Sequence, residues 1–248
     1  MKVLVAVKRV IASSVKVSVK TDQTGVVSES VKMAMNDFDE VAVEQAIRLK
    51  EASIADEVII VSIGPAKAKD IIQHGLSLGA DRGILIQTDA ETEPLAVAKA
   101  LKKIVEQESI DLVLMGKQAI DNDASQAPQM LAGLLNWPQA TFVSSFNLEG
   151  NHINATREVD QGLQYLSFNL PAVISVDLRL NTPRYANMPS IMKAKRKPLD
   201  VVLDTDLGVD FTPKLQTLKV TEPPSRGKGQ MLDNVEDLLH KLSQKGVL

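Results

Sequence analysis

The chain has 248 residues and a formal net charge of −3, from 28 basic and 31 acidic side chains. That near-balance excludes bulk attraction to nucleic acid or to an anionic membrane. Cysteine is absent and aromatic residues make up only 3%, which excludes disulfides, thiolate metal sites, cysteine nucleophiles and base-stacking platforms.

The chain opens with MKVLVAVKRV, an apolar run broken by Lys8 and Arg9. It reads as a core strand, not as a signal peptide or membrane span. With no cysteine, this points to a soluble protein of a bacterial cytoplasm, without direct membrane insertion. Val3–Val7, Val58–Ile63, Ile84–Ile86 and Leu112–Met115 are continuous apolar runs, as expected of parallel strands covered on both faces. Between the first two, Phe38, Val41, Ala42, Gln45, Ala46 and Leu49 recur at helical spacing. Asn36 is placed to cap that helix, and Glu44 and Arg48 can pair across one turn. A second helix follows Pro65 and stops at Gly79. A third runs from about Thr92 to Glu106 with Pro94 in its first turn, and a fourth begins near Ser125. The alternation predicts the α/β class: a Rossmann-like parallel sheet with helices on both faces.

Thr141–Leu148 and Ile153–Val159 read as strands joined by a hairpin at Glu149–His152, and Leu163–Leu170 follows as another. Antiparallel additions to the sheet are therefore predicted. Beyond Ala172–Val176 the chain becomes rich in proline and charge, and residues 177–230 hold little that could bury itself. The last helical pattern, Asn234–Gln244, shows an apolar face of Val235, Leu238, Leu239 and Leu242. The expectation is a nucleotide-binding α/β domain over residues 1–176. Residues 177–248 are expected to form a recognition segment and an extended C-terminal arm that embraces a partner chain.

An open parallel sheet binds ligands beyond the carboxyl ends of its strands. Lys8–Val10, Ser62–Pro65 and the long loop Gly116–Gln126 end there. Gly116 permits close backbone approach, Ser125 and Gln126 offer donors to a phosphate, and Lys117 can offset its charge. Asp121 and Asp123 suit ribose hydroxyls or helix capping. By its residues alone the loop reads equally as a nucleotide site or as an ordinary helix start. The chain has no GxxxxGK[ST], no GxGxxG after the first strand, no GxSxG and no HExxH. His74, His152 and His240 read as solvated, and no nucleophile–base set emerges, so no catalytic residues are expected. Lys193, Lys195, Arg196 and Lys197 follow Met188-Pro189-Ser190-Ile191-Met192. This stretch reads as a solvated helix end or as a docking patch, with Met188 the hydrophobic anchor and lysines steering an acidic partner.

LVAVKRV, MNDFDEVAVEQAIRLKE, SIGPA, LGADRGI, DLVLMGKQAIDND, LNWPQATF and LPAVISVDLRLNTPRYANMPSIMKAKRKP occur in this order over nearly the whole chain. Together they resemble the β subunit of electron transfer flavoproteins. The resemblance implies a Rossmann-like domain paired with a similar domain of an α subunit, which holds the redox-active FAD, and a structural AMP in the β chain. Carried over by position, AMP would meet Ala6, Asn36, Asp37, Phe38, Asp39 and Ile63. It would also meet Gly116, Gln118, Ala119, Asp121, Asn122, Asp123, Ala124, Ser125, Gln126 and Ala127 of the loop. Dehydrogenase docking would fall on about Val176–Pro198, with Met188, Pro189, Ile191, Met192, Lys193 and Lys197. Electrons would arrive from acyl-CoA and other flavin dehydrogenases and leave to a membrane electron transfer flavoprotein-quinone oxidoreductase.

Two departures stand out. The family's Asn-Gln-Thr-Gly at the phosphate end is Ser125-Gln126-Ala127-Pro128 here, so phosphate binding would lean on Ser125 and backbone N–H groups. Ser13 stands where some relatives place a tyrosine against the flavin. Two rival expectations are an electron-bifurcating β subunit, with FAD in place of AMP, and a universal-stress-type adenine-nucleotide module. The latter explains the α/β half but not the arm.

Overall fold

The computed structural model describes residues Met1–Leu248. Val3, Leu4 and Val5 are fully buried in β1 (Lys2–Ala6), as befits a strand covered on both faces. β2 (Arg9–Ile11) and β3 (Met33–Met35) pair antiparallel as a separate ribbon. Strands of three residues are too short to display an alternation, so the sequence pattern does not announce them. In α1 (Asp37–Glu51) acidic side chains occupy the first turn and Arg48 and Lys50 the last, the polarity that the helix dipole favours. Glu44 and Arg48 pair at 2.6 Å, as their spacing predicts.

β4 (Glu57–Gly64) passes through a 3₁₀ turn at Ala66–Ala68 into α2 (Lys69–Leu78), which stops at Gly79 with φ of 139°. β5 (Arg82–Gln87), α3 (Pro94–Glu108), β6 (Leu112–Gly116) and α4 (Ala127–Leu135) complete the alternating half. β7 (Gln139–Glu149), β8 (His152–Val159) and β9 (Gly162–Asn169) form the expected antiparallel meander. The tight turn between β7 and β8 places Gly150 at φ 61°, a conformation hairpin turns require. β10 (Ala172–Val176) returns to the middle of the sheet.

α5 (Met188–Ala194), β11 (Leu199–Leu203), α6 (Asp204–Leu207) and α7 (Val235–Gln244) follow. The nine-stranded sheet runs β11-β5-β4-β1-β6-β10-β7-β8-β9. Pairing is parallel from β11 to β7 and antiparallel across β8 and β9. One apolar core joins the sheet to α1 and α2, and a second joins its other face to α3 and α4. This is the α/β class read from the sequence, a Rossmann-like sheet with antiparallel additions.

The C-terminal stretch departs from expectation in its first part. β11 lies parallel to β5 at the sheet edge, and Ala194, Leu207 and Phe211 are buried. The run Leu199-Asp200-Val201-Val202-Leu203 is strand-like but sits among prolines and charges, and an edge strand is covered less fully than a central one. From residue 212 onward the chain is exposed almost throughout. No helix is long and apolar enough to cross a membrane.

Candidate functional site

The strand order reverses at β1. The chain builds outward through β4 and β5 on one side, then crosses to β6 on the other. A crevice opens at such a switch point beyond the strand ends. Here it is a cleft of about 730 Å³, counting its open mouth. Ala6, Val61, Ile63 and Met115 at the strand ends, with Val97 and Leu101 of α3, give it an apolar slot. Lys8, Gln118, Asn122 and the stretch Ala124–Pro128 form its polar end. A flat apolar ring with a polar, anionic tail matches that division.

Asp39 joins the three elements beneath the cleft. It accepts hydrogen bonds from the Lys8 N–H (2.8 Å) and from the Gly116 N–H (3.1 Å), so the first turn of α1 is tied to the ends of β1 and β6. Burial pushes its carboxyl up to about 7, against the pull of those backbone donors. Gly116 is required by this close approach: an added Cβ would collide with the Asp39 carboxylate and lie 2.7 Å from the Phe38 Cβ. The close approach seen in the structure is to α1, on the wall of the cleft that Gly116 also lines.

Asn36 holds the N-cap position of α1 but makes no side-chain capping bond. Fully buried, it donates from Nδ2 to the Gln118 carbonyl (2.8 Å) and accepts from the Ile120 N–H (3.1 Å). Its amide has both a donor and an acceptor, so it can fasten the opposite loop from both sides, which a carboxylate could not. The loop is thus held in shape by the protein itself. Its tip carries local strain, with Asp123 at φ 53° and Ser125 at φ 51°, both left-handed for non-glycine residues.

The loop runs into α4 at Ala127. Gln126 stands at the N-cap without a side-chain capping bond, and Ser125, Gln126, Ala127 and Pro128 place the start of α4 at the cleft wall. Such a helix start accommodates an anion. Lys8 lies beside it, paired with Asp121 at 2.7 Å. Lys117 also lines the cleft, and its charge is already engaged within the protein. Its ammonium pairs with Asp177 at 2.7 Å and lies over the rings of Phe38 and Phe142. Burial raises the Asp177 carboxyl, but the Lys117 bond, the Arg179 N–H and the charges of both residues together outweigh it and leave the group below the usual range.

Of the sixteen positions carried over for the nucleotide, the cleft is lined by Ala6, Asp39, Ile63, Gly116, Gln118, Ala119, Asn122 and Ala124–Ala127. Asn36 and Phe38 are buried behind it. Asp37, Asp121 and Asp123 are not among its lining residues. The sequence reading missed Thr92, Pro94, Val97 and Leu101, which close one side. The early proline of α3 marks a helix start near the strand ends and is the signal that could have found them. Ser13 is exposed in the turn after β2. The three histidines all lie outside the lining, with His152 bonded to Asn169 (2.8 Å) and Ser167 (2.7 Å).

The other singled-out segment is α5. Met188 is 69% exposed and Met192 56%, with Ile191, Pro189 and Lys193 also outward. Lys197 differs. It is half-buried, and its ammonium donates to the Leu76 carbonyl (3.0 Å) and the Ala80 carbonyl at the end of α2.

A family model described as the electron transfer flavoprotein domain matches residues 24–207. The chain is 54% identical over 249 residues to the electron transfer flavoprotein subunit beta of Bradyrhizobium diazoefficiens, covering 100% of each. It is 52% identical to the Homo sapiens protein of the same name, with 99% of this chain and 98% of that one covered. The Arabidopsis thaliana electron transfer flavoprotein subunit beta, mitochondrial, is 51% identical with the same coverage.

Proposed function

The chain belongs to the electron transfer flavoprotein family as a β subunit, and from that premise we propose that it carries a structural AMP and docks electron donors for a partner α subunit. The reaction centre is an FAD held mainly by that α subunit. It takes electrons from acyl-CoA and other flavin dehydrogenases and passes them to a membrane quinone oxidoreductase. In this role the β chain is an electron-carrier subunit whose residues bind and position. A cysteine-free composition suits the reducing cytoplasm of a bacterium as its setting.

The observation that carries AMP binding is the preformed cleft at the switch point. The apolar slot between Ile63, Val97, Leu101 and Met115 suits adenine. Ser125, Lys8 and the start of α4 suit a single phosphate. The hydroxyl lost at Ala127 leaves that end to Ser125 and to backbone N–H groups. AMP would supply no chemistry there; it would fill the cleft and join α1, α3 and the loop into one surface.

The test is release of nucleotides from the natively purified complex, followed by mass spectrometry. AMP and FAD in equal amounts, with one α-type chain, is the expected result. Two FAD and no AMP would transfer the protein to the electron-bifurcating group, and absence of both nucleotides would overturn the proposal. For docking, we propose Met188 as the apolar anchor and Lys193 as the exposed charge that steers an acidic partner.

A further inference from the structure

α5 has seven residues, far fewer than an isolated helix needs to hold together in water. Its outward side chains Met188, Ile191 and Met192 are exposed and contribute little to its fold. Its shape and place must come from elsewhere. Residues 177–187, which lead to it from β10, have no regular structure, yet they are fastened along their length. Asp177 holds Lys117, Asn181 donates to the Val41 carbonyl (3.1 Å), and the Thr182 carbonyl accepts from Arg48 (3.3 Å).

The firmest tie lies just before the helix. The Arg184 Nε donates to Glu44 at 2.8 Å, and its two terminal nitrogens donate to Glu51 at 2.5 and 2.9 Å. The Arg184 backbone N–H also points to Glu44, at 3.3 Å. The Glu44 side chain is only 4% exposed and is shared with Arg48. Glu44 and Glu51 lie two turns apart on one face of α1, so a single planar guanidinium spans both. Beyond the helix, Lys197 ties the chain to the carbonyl end of α2. Between the two ties, Ala194 is buried and Asn187 caps α5 through the Ser190 N–H (2.9 Å).

We propose that Arg184 is the positioning residue of the donor-docking surface: clamped between Glu44 and Glu51 on α1, it fixes where α5 presents Met188, Ile191 and Met192. Lys197 is its counterpart at the far end. Neither side chain touches the donor; each acts through α5. The proposal rests on the docking role given above to α5. It deepens that role by naming what holds the surface in register with the body of the molecule.

The test uses the assembled, flavin-loaded heterodimer with an acyl-CoA dehydrogenase and its substrate as electron source. Arg184→Lys keeps the charge but loses the fork. Amide hydrogen exchange over residues 186–197 should rise about tenfold, while that of β1, β4 and β6 stays unchanged. The KM for the heterodimer as electron acceptor should rise by a similar factor, with kcat and flavin content unaltered. Met188→Ala, run alongside, should raise KM and leave exchange unchanged. Unchanged exchange in Arg184→Lys overturns the proposal. So does raised exchange with a normal KM, provided Met188→Ala still raises KM, and the docking role then survives. If Met188→Ala leaves KM unchanged, the docking role itself falls and the proposal falls with it. Should Arg184→Lys fail to assemble, Glu51→Gln removes only the exposed arm of the clamp and should move both readouts in the same direction by less.

Discussion

Gly116 and Asp39 show how closely the cleft depends on single atoms. An alanine at Gly116 must displace both the Asp39 carboxylate and the Phe38 Cβ beside it, and overpacking of this kind costs about 1–3 kcal/mol. Gly116→Ala should therefore lower thermal stability and reduce retained nucleotide. Gly133→Ala is the matched control. A Cβ there meets nothing within 4 Å, on the interior of α4, and removing a helical glycine should stabilise by about 0.5–1 kcal/mol. Asp39 adds a pH dependence. Its folded-state pKa is raised from the ordinary 3.8 to about 7 by burial, so the native chain keeps a proton that the unfolded chain releases. The resulting stabilisation is complete below the unfolded value and is lost as pH rises through the folded one. Asp39→Asn cannot titrate, and its NH2 faces one of the two backbone donors that the carboxylate oxygens accept from, which costs stability at every pH. Its deficit against the wild type, read from urea midpoints of the assembled heterodimer, should shrink from about pH 4.5 to about pH 7.5. A deficit that stays constant or grows would mean that Asp39 titrates as an ordinary carboxylate. Sequence spacing placed Asn36 and Asp39 at the head of α1. It could not reveal that their side chains bond across to the ends of β1 and β6 and to the loop, because those partners lie 31 to 84 residues away in the chain.

At the scale of elements, legibility followed covering. β1, β4, β5, β6 and β10 are buried on both faces and write continuous apolar runs into the sequence, so they were found. β2 and β3 are too short, and β11 is an edge strand with Val201 and Leu203 partly exposed. Their signals were therefore lost among neighbouring charges. α5 gives the clearest case of information that a sequence lacks. Its lysine-rich end reads as one basic patch, yet Lys193 faces outward while Lys197 caps the carbonyls that end α2. The two lysines should separate by experiment. Lys193→Met should slow association with the dehydrogenase at low salt and flatten its salt dependence, since exposed charges steer and are screened. Lys197→Met should leave the salt dependence intact and lower stability by about 1 kcal/mol, through the loss of hydrogen bonds at a helix C-terminus. Stopped-flow association across a salt series distinguishes them. Equal loss of salt dependence in both variants would place Lys197 back among the steering charges.

The whole molecule ends in a stretch that has little to bury itself against. Past Phe211 the chain is held to the body at Glu93, whose carboxylate accepts from the Leu215 N–H (2.7 Å), and at Gln23, whose carbonyl accepts from the Val220 N–H (2.9 Å). It then runs exposed to α7. That helix is well begun, with Asn234 accepting from the Asp237 N–H at 2.8 Å, yet Val235, Leu238 and Leu239 remain 65%, 44% and 51% exposed. Ordering such a segment costs conformational entropy that burial within this chain does not repay. An α subunit surface receiving α7 would supply the missing burial. Covering an exposed leucine is worth about 1.5–3 kcal/mol when complete, and about 1.4 kcal/mol is tenfold in affinity. Leu238→Asp with Leu239→Asp should therefore raise the dissociation constant of the heterodimer at least about tenfold. The β chain's sheet and its urea midpoint should stay unchanged, because these side chains are not among those packed against either core. Sedimentation equilibrium over a concentration series measures the effect, and an unaltered dissociation constant would place the arm outside the subunit interface.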